Sequence, residues 1–131
     1  MHVRAGKGER MSFVNFSNHR SATWNDRQRL AAEKWGSIID IPFPNISAAS
    51  DEAEIKRIAE RCVERILSCD PAAVMCQGEF TLVYAVISEL KKRGVTVVSA
   101  CSNRRATETI LDDGTTQKQS IFEFIRFREY K

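Results

Sequence analysis

Residues 72–94 read AAVMCQGEFTLVYAVISELKKRG. The first five, Ala72 to Cys76, are continuously apolar, the pattern of a short strand covered on both faces. From Phe80 onward the spacing changes. Val83, Val86, Ile87 and Leu90 recur at helical intervals, and Gly94 occupies the place where a helix commonly turns into the left-handed region. The run VTVVSAC (95–101) follows as another apolar strand. A strand, a helix and a strand in that order imply a parallel pair joined by a right-handed crossover.

Working upstream, DEAEIKRIAERCVERILSC (51–69) places Ile55, Ile58, Ala59, Cys62, Val63, Ile66 and Leu67 on one helical face, with Ser50 as the expected cap. SIIDI (37–41) reads as a strand closed by Pro42 and Pro44. Thr23 and Asp26 have capping-box spacing ahead of Leu30, Ala31 and Trp35, which predicts a helix of about three turns ending at Gly36. SFVNF, after Met11, is a strand followed by the polar loop SNHRSA. Downstream, SNRR is expected to be a loop after the fourth strand. Asp113-Gly114 then marks a hairpin between two β-prone runs. The order predicts an α/β fold: a parallel sheet of order 2-1-3-4 with helices on both faces and a C-terminal β-hairpin.

The composition restricts function. With 131 residues, 43% of them hydrophobic, the chain suits one domain with a single core. No apolar run is long enough to span a membrane. MHVRAGKGER lacks the apolar core of a signal peptide, so a cytoplasmic location is expected. Those ten residues read as a disordered extension before a domain at 11–131. They hold three basic residues against one acidic, leaving 17 against 16 in the remainder. So balanced a domain is not expected to bind duplex nucleic acid. Cys62, Cys69, Cys76 and Cys101 make no C-x-x-C pair and read as small buried hydrophobes, and no metal site or cofactor is expected. G-x-S-x-G, Walker A and H-E-x-x-H motifs are absent.

In a sheet of order 2-1-3-4, ligands bind at the carboxyl ends beside the switch between strands 1 and 3. That edge is expected to gather Ser17, Asn18, His19 and Arg20 from the first loop, Gln77, Gly78 and Glu79 from the third, and Ser102, Asn103, Arg104 and Arg105 from the fourth. Gly78 permits a sharp turn, and the free amides of Phe80 and Thr81 favour an anion. Gln77 can donate and accept. Glu79 can cap the helix or accept from a ribose hydroxyl. The competing reading makes QGE only a tight turn with Glu79 as its cap. His19 is either a general base or acid or an idle loop histidine. Arg20, Arg104 and Arg105 can bind phosphate through paired N–H groups, although exposed arginines are also common solvated charges. Arg126 and Arg128 read as protection of an edge strand.

SFVNFSNHRSATW, DIPFPNI, QGEFTLVYAVISELKKRG and FEFIRFREY together resemble small stand-alone CRISPR-associated proteins, Rossmann-like sensors of the CARF type without an effector domain. The resemblance covers residues 11–130. It implies that the loop Ser17–Arg20 and the loop with Gln77, Gly78, Glu79 and Thr81 bind cyclic oligoadenylate across a two-fold homodimer. It also implies that some members cleave that ring without metal, by attack of a 2′-hydroxyl. His19 and Arg105 are then the expected catalytic pair. One departure is that QGEFT carries an acid where a base is common in such sensors. Three functions stand: a ring nuclease, a sensor or sequestering module without turnover, and a nucleoside-processing enzyme using Glu79.

Overall fold

A computed structural model describes residues 11–131; the expected extension at residues 1–10 lies outside the described residues. Strands β1 (Ser12–Ser17), β2 (Ser37–Pro42), β3 (Pro71–Cys76), β4 (Thr96–Ile110) and β5 (Thr116–Glu129) form one sheet of order β2-β1-β3-β4-β5. The first four are parallel in the expected order, and β5 runs antiparallel to β4, so the sheet is mixed.

Helix α1 (Asp26–Glu33) is shorter than expected, because Asn25 is its cap and accepts from the Gln28 amide at 2.9 Å. Helix α2 (Glu52–Leu67) begins one residue later than Ser50 implied, with Asp51 accepting from the Glu54 amide at 2.9 Å. Helix α3 (Phe80–Lys92) ends as its sequence predicts, with Gly94 at φ 74°.

The larger correction concerns β4. Rather than ending at Cys101 before a polar SNRR loop, it continues to Ile110 and is itself the first arm of the hairpin. Its pairing with β3 covers only Ala73↔Thr96 to Met75↔Val98, whereas its antiparallel pairing with β5 runs from Val98↔Glu129 to Ile110↔Thr116. Polar residues remain in strand because the second strand satisfies their backbone groups. Gly114, at φ 86°, sits in the turn where Asp113-Gly114 predicted one.

The two sheet faces bury separate apolar sets. On one, Val14, Phe16, Val74, Cys76 and Val97 meet the inward faces of α2 and α3. On the other, Phe13, Met75, Val98, Phe124 and Phe127 meet Trp24 and Ala32 of the α1 segment. Among the described residues, no helix is long and apolar enough to cross a membrane.

Burial pushes the Cys76 thiol up to about 12 from its ordinary 9.0, with Cys62 a smaller contributor. The folded state therefore holds a proton that the unfolded chain releases above about pH 9, so stability falls as pH rises from about 9 towards 12. The loss from this group is on the order of 1 kcal/mol at pH 10. Urea melts of wild type and Cys76→Ala at pH 8 and 10 measure it; the variant, whatever its starting stability, is expected to lack this part of the pH dependence.

Candidate functional site

The site begins with a polar side chain inside β1. Asn15 is 1% exposed, and its amide is fully used. Its Nδ2 donates to the His19 carbonyl and to Asp40 Oδ1, each at 2.8 Å, while its Oδ1 accepts from Ser17 Oγ at 2.6 Å. Ser17 Oγ in turn accepts from the His19 amide at 3.1 Å. Asp40, at the same level of neighbouring β2, also accepts from Ser21 Oγ at 3.0 Å. Trp24 Nε1 donates to the His19 carbonyl at 3.1 Å, and the Arg29 guanidinium ties the Ser21 and Trp24 carbonyls. The loop after β1 is thus fixed from beneath, and it presents His19, Thr23 and Trp24 to one side of the sheet.

On that side lies a cleft of about 610 Å³. Trp24, Met75 and Phe124 form an apolar floor, and Phe122, 67% exposed, stands at its rim. His19, Thr23, Asn25, Gln28, Gln77 and Ser102 supply polar groups, with Ala100 between them. His19 is the single ionisable side chain among the described lining residues, so the cleft offers aromatic surface and neutral hydrogen-bonding groups rather than a charged clamp. Its volume and mixed lining are those of a small-molecule site.

Gln77 has a second duty. Its Oε1 accepts from the Ala100 amide at 2.8 Å, just past the last β3–β4 pair, leaving its NH₂ as a donor on the cleft wall. The rest of the QGE turn belongs elsewhere. A Cβ on Gly78 would stand 2.5 Å from the buried Phe43 ring, so glycine is required by close packing. Glu79 caps α3, accepting from the Leu82 amide at 2.9 Å and from Thr81 Oγ1 at 2.6 Å. Those two bonds, Thr81 foremost, hold its carboxyl below the usual range.

Of the residues expected from sequence, the structure brings His19, Gln77 and Ser102 to the cleft wall. Ser17 lies buried beneath the loop, and Asn18 and Arg20 are exposed on it without lining the cleft. Gly78, Glu79 and Thr81 do not line the cleft: Gly78 packs against Phe43, and Glu79 and Thr81 are engaged at the start of α3. Asn103, Arg104 and Arg105 are strand residues, not a converging loop. Arg104 lies opposite Phe122 on the same face and donates to Ser120 Oγ at 3.0 Å. Arg105 projects to the opposite face and pairs with Glu123 at 3.5 Å, away from the cleft.

Sequence reasoning missed Trp24, Phe122 and Phe124 as cleft residues, and Asn15 and Asp40 as its foundation. One signal was present: an asparagine inside an otherwise buried strand demands polar partners.

Gly78→Ala is expected to cost about 1–2 kcal/mol through overpacking against Phe43, which a denaturant melt detects.

No curated protein matches the chain. The stretch that builds the sheet, the pinned loop and the cleft is the stretch matched by the profile of the Uncharacterized protein MJ1673 family, residues 11–128, and the chain belongs to that family.

Proposed function

We propose that the cleft binds the base and ribose of an adenine nucleotide, in the form the CARF-type resemblance implies, a cyclic oligoadenylate, and holds it without turnover. The observation that carries this reading is the lining itself: an aromatic and thioether floor under a neutral hydrogen-bonding rim, at the carboxyl ends of β1 and β3. Aromatic faces stack on bases, and amide or hydroxyl groups read their edges. Arg104 is the cross-strand neighbour of Phe122 and suits a phosphate extending from the cleft.

Cleavage is the second reading, and the position of His19 favours it. A 2′-hydroxyl attack needs a base and strong stabilisation of the developing phosphoryl charge. His19 can supply the first. Arg105, expected to supply the second, is turned to the other face and paired with Glu123. Binding without turnover is therefore the better reading. A nucleoside-processing role for Glu79 is the less favoured reading, because that carboxylate caps α3 and does not line the cleft. A two-fold ring presents identical faces to two clefts, so the binding form is a homodimer.

Calorimetry with a panel of cyclic oligoadenylates, followed by chromatography of the ligand and light scattering of the complex, tests this. Saturable binding by a dimer with the ligand recovered intact is expected. Linear products that disappear in His19→Ala would install the nuclease reading instead, and a monomeric complex would remove the dimer. Absence of binding by every adenylate would overturn the proposal.

A further inference from the structure

Behind the cleft, the β4–β5 ribbon carries a second, shallower groove of about 520 Å³, whose lining includes Ser99, Cys101, Asn103, Arg126 and Arg128 and shares Ala100 and Ser102 with the cleft. Arg126 lies across from Cys101, and Arg128 across from Ser99. Residues two apart on a strand share a face, so both guanidinium groups project to the same side, with backbones roughly 7 Å apart.

Their charge is uncompensated. The acids nearest them on β5 are engaged elsewhere, Glu123 with Arg105 at 3.5 Å and Glu129 with Lys131 at 3.4 Å. Among the described residues, neither Arg126 nor Arg128 forms an ion pair, and no carboxylate lines the groove. Arg126 uses Nε to donate to the Phe127 carbonyl at 3.2 Å, which leaves its terminal nitrogens available as donors. Protection of an edge strand needs charge but no concavity. Here two like charges sit side by side in a concavity where the Ser99 and Asn103 side chains can both donate.

We propose that this groove binds a phosphate group, free or as a phosphate ester, through the paired N–H groups of Arg126 and Arg128, with Ser99 and Asn103 as neutral donors. Guanidinium forks match phosphate oxygens, and a dianion relieves the repulsion between the two cations. The groove's two arginines project away from the cleft and only Ala100 and Ser102 are common to the two linings, so the proposal does not depend on nucleotide binding in the cleft.

Amide spectra of the isotopically labelled full chain, titrated with inorganic pyrophosphate and separately with AMP at low ionic strength, test it. Saturable shifts of the Ser99, Cys101 and Asn103 amides are expected. Arg126→Gln/Arg128→Gln should weaken this binding by about 100-fold, roughly tenfold for each charge-assisted contact. Arg126→Lys/Arg128→Lys, which keeps the charge and loses the forks, should fall between, and Lys56→Gln, an exposed position on α2 outside both sites, should match wild type. If pyrophosphate alone moves the groove, the source is free phosphate; if AMP moves it too, a nucleotide phosphate is accepted. Shifts that fail to saturate, that spread over all basic residues, or that persist unchanged in a folded glutamine double variant would overturn the assignment.

Discussion

Replacing Asn15 by leucine is expected to lower stability by about 2–3 kcal/mol and to abolish binding in the cleft. The branched shape is kept while every polar atom of the side chain is removed, and the larger methyl groups add some overpacking to the loss of the amide. Its loss removes the donor to the His19 carbonyl and to Asp40 Oδ1, and leaves Ser17 Oγ with only its longer contact to the His19 carbonyl, 3.4 Å, in a buried site. Burying polar groups without partners costs more than a hydrogen bond in water returns. The loop then loses its anchor, and His19 and Trp24 lose their fixed positions. Asn15→Asp makes the same point electrostatically. It sets a second carboxylate beside Asp40, a like-charge contact that should weaken the fold most at neutral pH and less as pH falls and a proton is taken up. Urea midpoints at two pH values decide this. A leucine variant with an unchanged midpoint would show that the network is incidental.

Phe122→Ala is expected to do the reverse: leave the melting temperature nearly unchanged and weaken adenylate binding about 10- to 100-fold. The side chain is 67% exposed, so little of its surface is lost from the core. A base stacked on an aromatic side chain contributes about 1–3 kcal/mol, which corresponds to that range of affinity. Phe122→Trp should retain or improve binding. Equal loss of stability and affinity would mean that Phe122 holds the ribbon in place rather than meeting a ligand.

The parts of the fold legible in sequence were those set by local pattern. The apolar run of β3, the helical period of α2, Gly94 and the Asp113-Gly114 turn each identify themselves, because period and turn chemistry are properties of a few neighbouring residues. The helix starts slipped where two capping residues compete, Thr23 with Asn25 and Ser50 with Asp51. The extension of β4 was hidden for a different reason. Ser102 to Arg105 carry no strand pattern, and only pairing with Phe124, Glu123, Phe122 and Ile121, distant in sequence, makes them one. The cleft suffered in the same way. Gln77, Ser102 and His19 were legible from strand order alone, whereas Phe122 and Phe124 enter through that same non-local register. Glu79 drew attention as a carboxylate at a strand–helix junction, and its plain reading as a cap is the one the geometry bears out.

The most direct test uses the indole already in the cleft. Trp24 lines it, whereas the half-buried Trp35 stacks on Phe13 at 5.5 Å outside the cleft, so a ligand in the cleft changes the emission of one tryptophan and spares the other. Titration of the full chain with cyclic oligoadenylates should give saturable quenching in wild type, a weakened response in Phe122→Ala, and almost none in Trp24→Phe. Emission that no cyclic or linear adenylate alters in the folded wild-type protein, with calorimetry also flat, would contradict nucleotide binding in this cleft.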